Sequence, residues 1–315
     1  MAEKKVTQME IQHSKPNFFI IGAPKCGTTS LAAWLAEHPY VYMSPIKEPF
    51  FFSRDLRNSR IQDWNTYLRL FEGVQAQHQA IGEASTIYLF SKVAVPAIEE
   101  EIPGAKYIVM LRNPVEMVYS LHEQQYRSFN EDVEVFWEAW KLAGERKVGR
   151  HIPPKCKDPV LLNYPEWGRL GEQLERLYRI VPRERVLVIL LDDVKENPRR
   201  EYLRVLDFLS VPDDGRNTFP VYNPARAWRS RYIARFVRAL AKTVSYSKYV
   251  RGILPRRSLG IVRRLESWNT RKHSRPPLSP AVRTELEAYF AKEVERLERL
   301  LGRNLSHWRS LSEVE

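Results

Sequence analysis

The hydrophobic residues of this chain fall into short continuous runs that alternate with longer segments of helical periodicity. Runs of this length are typical of strands in a parallel sheet, which are buried on both faces. Strands are predicted at NFFII (17–21), QAIGE (79–83), KYIVMLR (106–112) and RVLVILLDD (185–193). Each run is followed by a segment with helical features. This alternation predicts an α/β protein with a doubly wound parallel sheet flanked by helices.

The segments after the strands carry recognisable helix signals. In the first of them Leu31, Trp34 and Leu35 share one helical face, and Pro39 ends the helix. The last helix is expected to begin at Pro280 and to end near Gly302. Helices between these two are predicted within 91–102, 113–129, 165–181 and 196–211.

Composition limits the class of protein. Hydrophobic residues make up 43% of the 315 residues, which is enough to build a substantial core. We expect residues 1–16 to form a flexible tail and 17–315 a single domain. The start of the chain lacks the apolar core of a signal peptide, and no apolar run reaches the ~20 residues of a membrane span. Cys26 and Cys156 are too few for a disulfide framework, so a cytoplasmic location is expected.

The net charge of +12 is concentrated in one region. Between Arg226 and Arg275 there are 15 lysines and arginines against one acid, Glu266, so this segment carries +14 and the rest of the chain carries −2. A nucleic-acid-binding protein with a uniformly basic surface would have a different pattern, and no nucleic-acid partner is predicted. The fold is therefore expected to carry a basic, helical C-terminal extension.

Residues 231–244 within this segment have the pattern of a basic amphipathic helix. Three interpretations stay open. The helix packs on the core as a lid or as part of the acceptor site, which we favour. Alternatively, residues 231–257 contact an anionic membrane surface, or the segment binds an acidic polysaccharide.

A glycine-containing turn, GAPKCGTT (22–29), follows the first strand and opens a helix. Backbone N–H groups and the helix dipole make an anion site at such a position. The turn departs from the nucleotide-binding pattern GxxxxGK[ST], because its lysine, Lys25, stands before the second glycine, Gly27. The displaced lysine favours a donor with a shorter anionic chain than a nucleoside triphosphate and with no need for a metal ion.

The pattern PKxGTTxL (24–31) resembles the 5′-phosphosulfate loop of sulfotransferases that use 3′-phosphoadenosine-5′-phosphosulfate (PAPS). YIVMLRNPVEMVYS (107–120) resembles the 3′-phosphate motif of that family, and KEPFFF (47–52) and GEASTIY (82–88) resemble further motifs of its carbohydrate and bacterial members. The resemblance extends over residues 16–309, is weakest at 226–265, and implies a P-loop-type fold. It implies donor-binding roles for Lys25, Cys26, Gly27, Thr28, Thr29, Ser30, Arg112 and Ser120.

The resemblance also implies that Glu48 is the base that takes a proton from the acceptor, a hydroxyl or amine of a glycan, lipid or small metabolite. Its neighbours Lys47 and the phenylalanines at 50–52 suit a partly desolvated carboxylate. Lys25 is the candidate that stabilises the leaving oxygen. Arg271 and Lys272 stand where the family has a basic loop over the 3′-phosphate. No metal is predicted, because no group of ligands has metal-binding spacing.

Several alternatives accompany this interpretation. Lys47 contacts the sulfonate or is a solvated lysine, and His122 is expected to be structural. A small-metabolite kinase shares the fold and the phosphate loop, but it is expected to carry GK[ST] and acidic Mg²⁺ ligands. A non-enzymatic protein that binds a membrane or a polyanion through the basic stretch is the second rival.

Overall fold

A computed structural model describes residues 14–57, 60–222, 226–228, 270–272 and 276–309. The chain forms two compact units. One comprises residues 1–222 and 280–315, and the other comprises residues 223–279. Most of the predicted tail, residues 1–13, lies outside the described residues.

The larger unit is built on a five-stranded parallel sheet with the strand order β2-β3-β1-β4-β5. The strands are β1 (Phe18–Gly22), β2 (Val41–Met43), β3 (Ala80–Ala84), β4 (Lys106–Leu111) and β5 (Val186–Leu190). The central strands are buried along nearly their whole length, as their continuous hydrophobic sequence requires. The predicted α/β fold with a parallel sheet flanked by helices is confirmed.

Helices connect the strands and pack around the sheet. In chain order they are α1 (Thr28–Ala36), α2 (Trp64–Leu68), α3 (Ala94–Glu101), α4 (Pro114–Arg127), α5 (Phe136–Lys141), α6 (Ala143–Lys147), α7 (Tyr164–Trp167), α8 (Leu170–Ile180), α9 (Leu191–Glu196), α10 (Pro198–Leu209) and α11 (Pro280–Leu301). Short 3₁₀ turns lie at Arg69–Phe71, Pro159–Leu162, Arg183–Arg185 and Ser306–Trp308.

The helix signals act largely as expected. Pro114 occupies the first turn of α4, and the Asn113 side chain caps this helix by accepting a hydrogen bond from the Val115 N–H. Gly302 follows the last residue of α11 with a φ of 61°, the left-handed conformation that commonly ends a helix.

Two predicted boundaries were wrong. The strand predicted over 185–193 ends at Leu190, and residues 191–196 form α9. Asp192 and Asp193 lie in the first turn of α9, where carboxylates interact favourably with the helix dipole.

The helix predicted over 165–181 is divided into α7 and α8. Gly168, between them, lies against Phe290 of α11 so closely that a Cβ atom would come within 2.3 Å of that ring.

The strand order places a functional crevice at the carboxyl ends of β1 and β4. From β1 the chain crosses to β2 on one side of the sheet, whereas from β4 it continues to β5 on the other side. Adjacent strands whose connections diverge in this way form a topological switch point, where α/β proteins bind their ligands.

The smaller unit contains an antiparallel pair of strands, β6 (Arg226–Trp228) and β7 (Thr270–Lys272). In this pair Arg226 is opposite Lys272 and Ala227 is opposite Arg271. The basic helix predicted over 231–244, and the wider segment 231–257, lie outside the described residues.

Candidate functional site

The glycine-containing turn of residues 22–29, which we call the glycine loop, connects β1 to the N-terminus of α1. Gly27 is the N-cap residue of α1 and has a φ of 92°. A Cβ atom at this position would lie 2.9 Å from Leu191 Cδ1, so both conformation and space require glycine. The Ala23 N–H donates to the Met110 carbonyl of β4 over 2.7 Å, which fixes the loop against the neighbouring strand. The first N–H groups of α1 are thus held at the switch point.

Lys25 lies in the loop with a φ of 65°, a strained conformation for a residue with a Cβ. Beside it, Cys26 is completely buried and its Sγ lies 3.5 Å from the Pro24 carbonyl oxygen. Burial raises the pKa of the Cys26 thiol to about 12, although Arg112 and Lys25 act in the opposite direction. The thiol is therefore protonated and fills space in the loop. The donor-binding role that the resemblance implies for Cys26 stays a prediction.

Arg112 follows β4 and reaches the glycine loop. Its Nη1 donates to the Lys25 carbonyl oxygen over 3.2 Å, so the two predicted phosphate-binding segments meet. Its Nη2 also lies 3.6 Å from Glu116, one turn into α4. Glu116 in turn forms an ion pair with Arg283 of α11. The Arg112 guanidinium is thus oriented from two sides, which suits recognition of an anion.

The predicted serine and threonine ligands occupy α1 and α4. Thr28 and Thr29 open α1, and the Ser30 hydroxyl accepts a hydrogen bond from the Tyr222 N–H over 3.0 Å. Ser120 lies two turns after Arg112 on α4 and is buried.

Glu48 lies on the segment between β2 and α2, in a loop formed by residues 48–53, which we call the base loop. Its Oε1 accepts hydrogen bonds from Lys47 Nζ and from Thr86 Oγ1, each over 3.0 Å. The Glu48 and Lys47 side chains are about one-third exposed, so solvent can reach the carboxylate.

The base loop is attached to the residues that follow β3. The Glu48 N–H donates to the Ala84 carbonyl over 2.9 Å, and the Phe50 N–H donates to Ser85 Oγ over 3.3 Å. The Phe52 N–H donates to the Tyr88 hydroxyl over 3.2 Å. The three phenylalanine side chains of the loop are buried beneath it.

The glycine loop and the base loop are brought together through Gly22. A Cβ atom on Gly22 would lie 3.0 Å from the Thr86 carbonyl oxygen and 2.9 Å from Leu89 Cβ. The Leu89 N–H donates to the Ile21 carbonyl over 2.8 Å. Thr86, which donates a hydrogen bond to Glu48, therefore contacts the start of the glycine loop.

Three further residues that the sequence analysis considered are Arg271, Lys272 and His122. Arg271 and Lys272 lie on β7, and their side chains are outside what the structure describes. His122 is buried, and its Nε2 lies 2.9 Å from the Val133 carbonyl oxygen. Burial lowers the pKa of His122, which fits a neutral, structural imidazole.

Within the described ranges there is no group of three or more potential metal ligands and no helix long and apolar enough to cross a membrane.

Sequence reasoning missed the partners of the key residues. Thr86 holds the carboxylate of Glu48, and Glu116 with Arg283 orients Arg112. Thr86 lies inside the GEASTIY motif, which offered a signal for it. Arg283 is 171 positions from Arg112 in the chain, and its sequence context offered none.

Comparison with known proteins gives concordant results. Residues 15–219 match the model of the sulfotransferase domain family. Human carbohydrate sulfotransferase 15 is 33% identical over 246 residues, which covers 62% of this chain and 44% of that protein. Human bifunctional heparan sulfate N-deacetylase/N-sulfotransferase 2 is 26% identical over 206 residues, covering 62% and 22%. The chain thus spans less than half the length of these relatives.

A solved structure extends the comparison to nearly the whole chain. The crystal structure of a sulfotransferase from Alicyclobacillus acidocaldarius superposes with a TM-score of 0.67 at 29% identity. The superposition covers 94% of this chain and 99% of the bacterial one.

Proposed function

The chain belongs to the sulfotransferase family, and we propose that it transfers a sulfonate from PAPS to a hydroxyl or amine of a glycan, with Glu48 as the base. The observation that carries this proposal is the meeting of three segments at the carboxyl ends of the sheet. The Arg112 guanidinium contacts the Lys25 loop, and Thr86 joins that loop to Glu48.

The residues of the crevice fit a donor with phosphates at both ends. The N-terminus of α1 and residues 27–30 offer N–H and hydroxyl donors to a 5′-phosphate. Arg112 and Ser120 are proposed to bind the 3′-phosphate, and the role of Arg271 and Lys272 stays a prediction from the sequence. When bound, PAPS supplies an activated sulfonate. Lys25 would donate to the bridging oxygen on which charge develops as the sulfonate leaves.

Glu48 is proposed to accept the proton of the attacking group. Sulfonyl transfer is a displacement in which the acceptor oxygen or nitrogen loses a proton as it attacks. Thr86 and Lys47 both contact Oε1 of Glu48, and this fixes the direction of the carboxylate. In some members of the family a histidine stands two residues after this glutamate, whereas here Phe50 is buried at that position. The carboxylate therefore acts without that histidine.

A glycan acceptor is proposed from two observations. The relatives cited above are a carbohydrate sulfotransferase and a heparan sulfate N-sulfotransferase. The segment 226–275 carries a formal charge of +14, which suits an acidic polysaccharide better than a neutral metabolite.

Donor binding and Glu48 can be tested together. We expect adenosine 3′,5′-bisphosphate to bind without Mg²⁺ in isothermal titration calorimetry, and sulfonate to pass from PAPS to N-desulfated heparan. Glu48→Gln keeps the size of the side chain but removes the base, so kcat should fall by about 10²–10⁴ while nucleotide affinity is unchanged. Glu72→Gln, at an exposed glutamate outside the crevice, is the control and should keep full activity.

Two results would contradict the proposal. ATP turnover with Mg²⁺ and no binding of adenosine 3′,5′-bisphosphate would favour a small-metabolite kinase. Full transfer activity in Glu48→Gln would show that another group is the base.

A further inference from the structure

A completely buried carboxyl group lies beneath the base loop and has no part in the chemistry proposed above. Glu83 of β3 has no exposed surface, and neither of its carboxyl oxygens makes a hydrogen bond of ordinary geometry with the described residues. Burial raises the pKa of Glu83 to about 8, so the group is mostly protonated at neutral pH. A polar group at such a depth normally has a structural or functional reason.

Three hydroxyl groups interact with the carboxyl group of Glu83. They belong to Tyr88, Ser85 and Tyr67, and their interactions lower its pKa against the larger effect of burial. Tyr67 lies on α2, whereas Ser85 and Tyr88 follow β3 directly. The pKa values of both tyrosines are raised, chiefly by burial, so these side chains stay neutral near pH 8.

Two of these hydroxyls also hold the base loop. Ser85 Oγ accepts the Phe50 N–H, and the Tyr88 hydroxyl oxygen accepts the Phe52 N–H. Because each oxygen already accepts from the loop, its own proton is available for another acceptor. Glu83 is the carboxyl group on which both hydroxyls act. Glu83 therefore interacts with the two hydroxyl groups that accept hydrogen bonds from the backbone of the base loop.

The base loop needs such support because its backbone is strained. Glu48 has a φ of 61° and Phe50 a φ of 55°, in the left-handed region that residues with a Cβ rarely adopt. Conformations of this kind persist only when surrounding contacts determine them.

We propose that Glu83 is a positioning residue for Glu48: its carboxyl orients the Ser85 and Tyr88 hydroxyls, and these hold the base loop in its left-handed conformation. The inference rests on the proposed function, in which Glu48 is the base. It assigns Glu83 no contact with donor or acceptor.

Replacement of Glu83 by glutamine and by leucine tests this role in the full-length protein. Glutamine keeps a carbonyl oxygen as acceptor, whereas leucine keeps volume and removes both polar atoms. In Glu83→Leu we expect amide hydrogen exchange of residues 47–53 to accelerate at least tenfold. We expect kcat for transfer from PAPS to N-desulfated heparan to fall at least tenfold, with the KM for PAPS unchanged. Glu83→Gln should stay within about threefold of wild type in every measurement.

Tyr88→Phe supplies the test if Glu83→Leu does not fold, because it removes the acceptor of the Phe52 N–H and leaves the core volume intact. The matched control is Tyr107→Phe. The Tyr107 hydroxyl donates to Glu99 over 2.7 Å near the opposite, amino end of the sheet, so its loss should leave loop exchange and kcat unchanged.

The outcomes separate the two proposals. Folded Glu83→Leu or Tyr88→Phe protein with unchanged exchange in 47–53 overturns the role of Glu83, as does an equal loss of kcat in Tyr107→Phe. Wild-type protein without transfer activity contradicts the proposed function alone. In that case faster loop exchange in Glu83→Leu supports the anchoring of the loop, and unchanged exchange overturns it.

Discussion

Cys26 and Glu83 are single residues whose ionisation is set by burial against the effect of their neighbours. Cys26 lies beside Lys25 and close to Arg112, yet the pKa of its thiol rises to about 12 because the group has lost its water. A neighbouring lysine and a helix N-terminus ordinarily lower the pKa of a thiol, so burial is the larger effect at Cys26. For Glu83 the same effect outweighs three hydroxyl groups.

The raised pKa of Glu83 makes a prediction about stability. Between its ordinary pKa near 4.5 and about 8, the folded protein keeps the Glu83 proton while the unfolded chain has lost it. The contribution of Glu83 to stability should therefore fall as pH rises through this window, by up to about 1.4 kcal/mol per pH unit. Glu83→Gln cannot titrate. The free energy of unfolding of wild type minus that of Glu83→Gln, from urea titrations at pH 5, 6, 7 and 8, should decrease steadily.

This difference removes the effects of the other titrating groups, which both proteins share. A difference that stays constant from pH 5 to pH 8 would show that Glu83 does not keep its proton in the folded state.

At the scale of elements, the segment between α4 and α8 is held by a buried ion pair. Glu131, just after α4, accepts two hydrogen bonds from Arg146 of α6 over 2.6 and 2.7 Å, and both side chains are almost completely buried. The Tyr164 hydroxyl and the N–H groups of residues 132 and 133 occupy the remaining acceptor positions of Glu131. The carboxylate is thus fully satisfied, which offsets the cost of its burial.

Arg146→Met should destabilise the protein by about 3–5 kcal/mol, because it leaves the buried Glu131 charge without its partner. The double variant Glu131→Gln/Arg146→Met should recover part of this loss. Lys141→Met is the control. Lys141 pairs with Glu138 and both side chains are about half exposed, so the change should stay within about 0.5 kcal/mol. Urea unfolding measures all three, and a loss below about 1 kcal/mol for Arg146→Met would contradict the prediction.

The elements also show what the sequence could reveal. Four strands were predictable because burial on both faces makes them continuous hydrophobic runs, whereas β2 has only three residues and half-buried side chains. The loop between β1 and α1 was predictable because its residues are contiguous, from Gly22 to Thr29, whereas the donor-binding roles of these residues stay predictions. The environment of Glu48 was not predictable. Thr86 lies 38 positions away, and the base loop meets it through hydrogen bonds to the segment after β3 that no local pattern specifies.

At the scale of the whole molecule, charge is divided unequally along the chain. Segment 226–275 carries +14, while the remaining residues, which include the donor motifs and Glu48, sum to −2. In the proposed function, donor binding would therefore depend on a few placed cations such as Lys25 and Arg112. In the proposed function, the basic segment would supply the long-range attraction for an anionic acceptor.

This division predicts that acceptor and donor binding respond differently to the same substitutions. Replacement of Arg231, Arg235, Arg238 and Lys242 by glutamine should raise the KM for N-desulfated heparan at least tenfold and weaken its dependence on salt. The affinity for adenosine 3′,5′-bisphosphate should be unchanged. The control replaces four exposed basic residues of the larger unit by glutamine: Lys141, Lys147, Arg150 and Arg179. It removes the same charge and should alter the KM less. If the variant in the basic segment instead loses sedimentation with phosphatidylserine vesicles and keeps its KM, the segment serves a membrane surface and not the glycan.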